Sequence, residues 1–312
     1  MVALIIAIIA STLRLATPLI FASIGGVFTE RSGVVNLALE GIMIMGAFAG
    51  ILSMKFVDNP WIAVLFAMFV GVLTSLILGV LAIHGKADQV IAGTAINMLA
   101  ASLSAYLLEM FWHRSGQTDP MRNTLTQNPD IFKPLEQIPV IGDLFRGLNP
   151  FVYLALLTVA VAYYVIFKTP FGLRIRAVGE HPRAADTVGI NVYKIRYICV
   201  SISGALAGLA GASMSLGTIS LFREGMTSGK GFIAIAAMIF GKWHPVGALL
   251  ACLFFGFCES ININAATLGL SSVPQEFLAM IPYIATILAL AGVVGKAVAP
   301  KASGQPYEKD RR

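Results

Sequence analysis

Apolar residues fill this chain in long blocks separated by short polar punctuation, without the period of two that marks half-buried strands. A helix needs about 20 mostly apolar residues to cross the hydrocarbon core of a bilayer. Blocks of that kind fall near 2–24, 35–56, 61–83, 89–111, 150–168, 196–217, 245–265 and 276–297. A ninth apolar piece, 231–240, is too short to cross unless joined to its neighbours. It reads as a short or broken helix buried in protein. The expected fold is an all-α membrane protein, a polytopic helical bundle of about nine transmembrane segments within a range of about eight to ten. Residues 1–10 lack the positive flank of a cleavable signal, so the first block is expected to be a retained span.

Positive charge orients the bundle. Lys168, Arg174, Arg176, Arg183, Lys194 and Arg196 crowd the segment between the fifth and sixth blocks. Lys296, Lys301, Lys309, Arg311 and Arg312 mark the last stretch. Cytoplasmic loops carry excess Lys and Arg, so both segments are expected inside. The 111–149 loop mixes Arg114, Arg122, Lys133 and Arg146 with Asp119, Asp130, Glu136 and Asp143, and suits the outside. Both basic segments share a side only if 231–240 crosses or forms part of a crossing, which places the N-terminus outside.

A faint repeat agrees: Ser32-Gly33 precedes the apolar run 34–45, and Ser228-Gly229 precedes 232–240. Five crossings apart, the two units face opposite ways, as inverted repeats with broken or re-entrant helices do. A single domain, 1–312, then divides into repeat one (about 12–168), a loop at 169–196, repeat two (about 197–298) and a tail, 299–312. Within the sixth block, Gly204, Gly208 and Ala212 form one small-residue stripe, and Ala207, Gly211 and Ser215 an adjacent one. Such stripes let helices pack closely.

Composition excludes most other classes. Only 12% of residues are charged and 57% are hydrophobic, against about 25% charged in soluble domains. The net charge of +6 is accounted for by positive loops, and no basic run interleaved with aromatics points to nucleic acid. Cys199, Cys252 and Cys258 sit in apolar stretches as small hydrophobes, with no metal-ligand spacing. His84, His113, His181 and His244 are scattered, and no G-x-x-x-x-G-K-[ST] motif occurs. The chain is expected to be no enzyme and to bind no cofactor; any ATP it uses must be hydrolysed elsewhere.

The segment 169–196 reads TPFGLRIRAVGEHPRAADTVGINVYKIR. Pro170 and Gly172 are expected to end the fifth span. Pro182 fits the first position of a short helix, and Gly189 supplies its stop. An amphipathic docking helix over 180–189, held between two spans, is the reading favoured over a solvated loop.

The run Arg183-Ala184-Ala185-Asp186-Thr187-Val188-Gly189 resembles the E-A-A-x-x-x-G loop of ABC importer permeases, with Arg183 where Glu usually stands. AVGEHPRAADTVGINV, SGALAGLAGA (203–212), ERSGVVNLALEGIMIMGAF (30–48) and GKGFIAIAAMIFGKWHPVGA (229–248) are similar to permeases for simple sugars, nucleosides and branched-chain amino acids, nearest the nucleoside branch. The resemblance spans about residues 14–298. It implies that 180–189 is a coupling helix seated on a cytoplasmic ABC ATPase. Gly179, Glu180, His181, Pro182, Ala184, Ala185 and Gly189 match the pattern, with Arg183 and Asp186 in the same contact. It further implies ATP and Mg on that ATPase, a second and non-identical permease subunit, an external solute-binding lipoprotein, and a place in the bacterial cytoplasmic membrane. An ion-coupled secondary transporter is the alternative; it would need no docking helix.

Polar groups within spans are costly and usually face a cavity or a partner. Asn36, Glu40, Asn97, Glu259 and Asn262 are the candidates for the substrate path, since amides offer a sugar or nucleoside both donors and acceptors. Glu40 is also a candidate to pair with Arg14 or Arg31, and the amides to bridge helices. Phe21, Phe48 and Trp243 are candidates to stack on a base.

Overall fold

A computed structural model describes residues 2–129, 141–265, 277, 280, 284 and 298–308. Among the described residues the regular elements are helices: α1 (Val2–Arg31), α2 (Leu39–Phe56), α3 (Pro60–Gly79), α4 (Gln89–Trp112), α5 (Ile141–Arg146), α6 (Pro150–Lys168), α7 (Pro170–Glu180), α8 (Pro182–Thr187), α9 (Val192–Met214), α10 (Lys230–Phe240) and α11 (Pro245–Ile263). α3 and α9 run on into π-helical turns, Val80–His84 and Ser215–Ile219. Among the described residues seven helices are long and apolar enough to cross a membrane: α1, α2, α3, α4, α6, α9 and α11. They coincide with seven predicted blocks. The predicted span at 276–297 lies outside the described residues.

Local chemistry sets the helix starts. Asn59 accepts from Trp61 N at 3.0 Å, Asp88 from Val90 N at 2.8 Å, and Asn191 from Lys194 N at 2.9 Å. Asn149 caps α6 and also donates to Gly217 O at 2.7 Å, tying that start to the end of α9. Such caps contribute about 1 kcal/mol each.

α2 and α9 form the centre. α2 is apolar all round and buried from Leu39 to Ile51, as a helix surrounded by other helices must be. The small-residue stripe predicted in the sixth block is where α2 and α3 cross α9. A Cβ on Gly46 would stand 2.5 Å from Gly208 O, and one on Gly71 2.9 Å from Gly208 Cα. α1 lies against α11, with Gly256 packed on Ala16 and Ser23 Oγ 3.2 Å from Cys252 Sγ. All three cysteines are buried. The outward faces of α3, α4, α6 and α11 expose Phe69, Ile77, Ile91, Met98, Leu157, Val161, Leu250 and Phe254, the surface a lipid solvent covers.

Two boundaries differ from the sequence reading. The first helix runs to Arg31, beyond the expected end at 24, because Gly25 and Gly26 pack tightly within it instead of ending it. The chain then leaves helix over 32–38, and α2 starts at Leu39. Pro170 and Gly172 do not simply end the fifth span. α6 stops at Lys168, Thr169 turns the chain, and Pro170 opens α7. The segment 169–196 therefore holds two whole helices, α7 and α8, and the first turn of α9, where one helix was expected.

Long-range contacts sort the elements into two ends. Arg31, α7, α8, the start of α9 and residues 298–308 gather at one: Ala302 N donates to Gly179 O at 2.9 Å and Gly304 N to Gly33 O at 3.3 Å. Residues 113–129 and 216–224 gather at the other: Thr118 N donates to Phe222 O at 2.9 Å and Leu125 N to Leu216 O at 3.1 Å. The first, with Arg174, Arg176, Arg183, Lys194, Arg196 and Lys301, is the basic end; the second is the far end.

Candidate functional site

The segment expected to dock lies at the basic end. Thr169 Oγ1 accepts from Gly172 N at 3.2 Å, and Pro170 takes the first position of α7. α7 buries Gly172, Ile175, Val178 and Gly179 against the bundle. His181 alone separates it from α8, whose first position is Pro182. Gly189 adopts φ +85°, and Ile190 N donates back to Ala185 O at 3.0 Å, which stops the helix where the sequence expected a stop.

Of the residues expected on an ATPase, Glu180, His181, Arg183, Ala184 and Gly189 are exposed; Pro182 and Asp186 are half-buried. Gly179 and Ala185 are buried and seat the two helices. Val188, 75% exposed, presents an apolar side chain at the tip. A groove on one flank lies between His181, Pro182, Arg183 and Ala184 and the segment 305–308. On the other flank a second groove has Arg174 and Lys194 on its walls.

Inside the bundle two helices begin at broken chain and meet end to end. Glu40, in the first turn of α2, points at the start of α10. Its Oε1 accepts from Thr227 Oγ1 at 2.5 Å and Gly229 N at 2.8 Å, and its Oε2 from Gly231 N at 2.6 Å. Helix N-termini present unpaired N–H groups and partial positive charge, and the Glu40 carboxylate satisfies those at the start of α10. A Cβ on Gly231 would stand 2.5 Å from the backbone N of Glu40, so the approach requires glycine.

Asn36 and Asn97 serve the same break. Asn36 accepts from Ala38 N at 3.1 Å and donates to Ser203 Oγ at 3.0 Å. Asn97 accepts from Gly41 N at 2.8 Å and donates to Leu37 O at 2.8 Å, stitching α4 to the start of α2. Glu259 accepts from Lys230 Nζ at 2.5 Å. Asn262 follows on α11, and its buried Oδ1 has no hydrogen-bond partner among the described residues. The structure thus brings Asn36, Glu40 and Asn97 together and joins Glu259 to them through α10.

Neither pairing foreseen for Glu40 forms. Arg31 Nε donates to Trp243 O at 2.6 Å, and Arg14 Nη2 to Ser11 Oγ at 3.4 Å. Two backbone N–H groups and the Thr227 hydroxyl take the carboxylate in place of a guanidinium. Phe21 and Phe48 are buried; Phe48 packs edge-on to Phe222 with centroids 5.3 Å apart. Trp243 Nε1 donates to Glu30 Oε2 at 2.6 Å.

The chain matches, over residues 8–290, the family described as the branched-chain amino acid transport system permease component. The chain belongs to this permease family. It is 48% identical to the guanosine ABC transporter permease protein NupQ of Bacillus subtilis, covering 98% of this chain and 97% of the relative. It is 42% identical to the nucleoside ABC transporter permease protein NupC of Lactococcus lactis, covering 97% of each. It is also similar to a second Bacillus subtilis guanosine permease protein, NupP, at 29% identity over 92% of this chain and 84% of that one. The permease is a multi-pass membrane protein and a transport component, not an enzyme.

Sequence reasoning missed two parts of the permease. Arg196, read as a loop charge, is 1% exposed on α9. Its Nε donates to Ser32 O at 3.3 Å and its Nη1 to Gln305 O at 3.1 Å. Its position at the rim of an apolar block was the available signal. Residues 298–308, which lack helical periodicity, fold back along α7, α8 and the break at 32–38. Glu308 closes on Lys86, and that hydrogen bond holds its carboxyl below the usual carboxylate range.

Proposed function

We propose that this chain is the membrane permease subunit of an ABC importer that carries nucleosides into the cytoplasm by alternating access. The observation that carries this reading is near-full-length similarity to nucleoside permeases of two organisms, one of them named for guanosine. α8 is the coupling helix. Its exposed residues Arg183 and Ala184, with flanking Glu180, His181 and Gly189 and with Arg183 in place of an acidic residue, seat on an ABC ATPase that holds ATP and Mg. The basic end is cytoplasmic, in keeping with its Lys and Arg content. The broken stretch 220–243 runs from the far end to the basic end and makes a crossing of its own. α11 ends at the far end, where Ser260 Oγ bonds Ile8 O at 3.2 Å, whereas 298–308 sits at the basic end. These features support nine crossings arranged as inverted repeats, with the N-terminus outside.

Two guanosine permease proteins in one organism, both similar to this chain, support a heteromeric pair of permeases. An external solute-binding lipoprotein completes the system. Asn36, Glu40, Asn97, Glu259 and Asn262 mark the depth of the path: the first three shape its broken wall, and Asn262, with its unused acceptor, is the residue proposed to meet solute. The test is uptake of radiolabelled guanosine into proteoliposomes holding the assembled transporter and its receptor. Uptake should require ATP and vanish when residues 182–189 are replaced by a Gly-Ser linker. Uptake driven by a proton or sodium gradient without ATP would sink the proposal and favour a secondary transporter.

A further inference from the structure

The reading of α8 as the coupling helix leaves open how motion there reaches the broken span, and the inference here rests on that reading. The direct covalent route from α8 passes through α9, which is buried and close-packed. A second route runs through residues 298–308. Ala302 N donates to Gly179 O at 2.9 Å, at the foot of α7. Gly304 N donates to Gly33 O at 3.3 Å, at the mouth of the break. Gln305 O accepts from Arg196 Nη1 at 3.1 Å, and the same guanidinium holds Ser32 O. The buried ring of Tyr307 stands edge-on to Tyr193 with centroids 5.4 Å apart, and Glu308 closes on Lys86 beyond α3. The segment also forms the wall of the groove facing His181–Ala184.

We propose that residues 298–308 are a coupling strut: they bind the ATPase-facing helices to the break at 32–38, so that displacement of α8 pulls on Ser32 and Gly33 and through them on Asn36 and Glu40. Arg196 is the positioning residue of this strut. Its buried charge takes carbonyl oxygens from both partners and locks them to α9. Gly33 is suited to the joint, because its φ of +91° favours glycine and a Cβ there would stand 2.8 Å from Arg196 Nη2. Backbone hydrogen bonds at this joint can transmit a pull without any side chain of the strut entering the path.

The experiment compares ATP hydrolysis with guanosine uptake in the assembled transporter. Ala302→Pro removes the N–H that holds Gly179, Ala302→Ser keeps it, and a chain ending at Val298 removes the strut. Yield and elution of the purified assembly report folding and ATPase docking. Expected are an intact assembly, hydrolysis within about twofold of wild type, uptake down at least about tenfold for the first and third variants, and wild-type uptake for Ala302→Ser. A raised ratio of ATP consumed to solute moved is the signature that a merely structural role would not produce. Lys86→Met, which only unclips the end of the strut, should give a smaller rise of the same sign in a folded assembly. Unchanged uptake with Ala302→Pro, parallel loss of hydrolysis and uptake, or release of the ATPase would each overturn the strut. Absence of any ATP-dependent uptake by the wild-type assembly would instead count against the function proposed above.

Discussion

Glu40 shows how far one side chain can be committed. Its two oxygens accept three hydrogen bonds from Thr227, Gly229 and Gly231, and no donor among these has another obvious partner at the buried start of α10. Hydrogen bonds to a charged group are worth about 1.5–3 kcal/mol each, and an orphaned buried donor costs a comparable amount. Glu40→Ala is therefore expected to destabilise the protein by about 3 kcal/mol or more, read as a fall in the melting temperature of the detergent-solubilised chain. Gly231→Ala places a methyl against the backbone of Glu40 and should cost about 1–3 kcal/mol by the same measurement. The sequence made Glu40 and the three asparagines visible as anomalies in apolar surroundings. Their partners were not visible, since hydropathy reports depth in a bilayer and carries no information on which distant backbone N–H lies opposite.

Helices were legible to different degrees for physical reasons. Long apolar blocks must cross, so α3, α4, α6 and α11 appear in the pattern nearly as they stand, and Pro182 and Gly189 bracket α8 through steric rules that act locally. α7 escaped because its sequence, PFGLRIRAVGE, looks like a charged loop until its buried face of Gly172, Ile175, Val178 and Gly179 is seen against the bundle. The end of α1 escaped because a glycine pair in close contact reads like a stop. At this scale the small-residue crossing is testable: Gly208→Leu should force α9 away from α2 and α3, and a loss of folded protein in the membrane fraction is the expected result. The clip of Glu308 on Lys86 gives a pH dependence with a definite sign. A carboxyl whose pKa is depressed on folding stabilises the folded tail above its unfolded pKa, and that contribution is lost as pH falls through the lower folded value. Protection of the amides in 302–308, corrected for the pH dependence of intrinsic exchange, should begin to fall as pH drops through the ordinary carboxylate range and be lost by the lower folded value.

Across the whole molecule, the two ends differ in charge and in what they hold. Cysteine introduced at Asp58, exposed at the far end, should react with an impermeant maleimide added to intact cells. Cysteine at Lys301, exposed at the basic end, should react only after permeabilisation. The buried native thiols keep the background low. The reverse pattern would invert the proposed orientation. None of this side assignment came from helix packing; charge counts in loops carried it, and contact between 298–308 and the basic end is consistent with them. The fold of that segment onto α7 and α9 was beyond reach of the sequence, because a short polar stretch with prolines and glycine has no period to read.

The meeting of α2 and α10 on Glu40 also has a mechanical side. At 1.5 Å per residue, an arm of 18 residues reaches roughly 27 Å from the meeting point and an arm of 11 residues roughly 16 Å. Tilting either about a shared fulcrum by ~10° shifts the longer tip by ~5 Å and the shorter by ~3 Å, from the same helix rise. On the orientation proposed above, a seesaw with unequal beams would turn a modest stroke at the basic end into a wider swing at the far end.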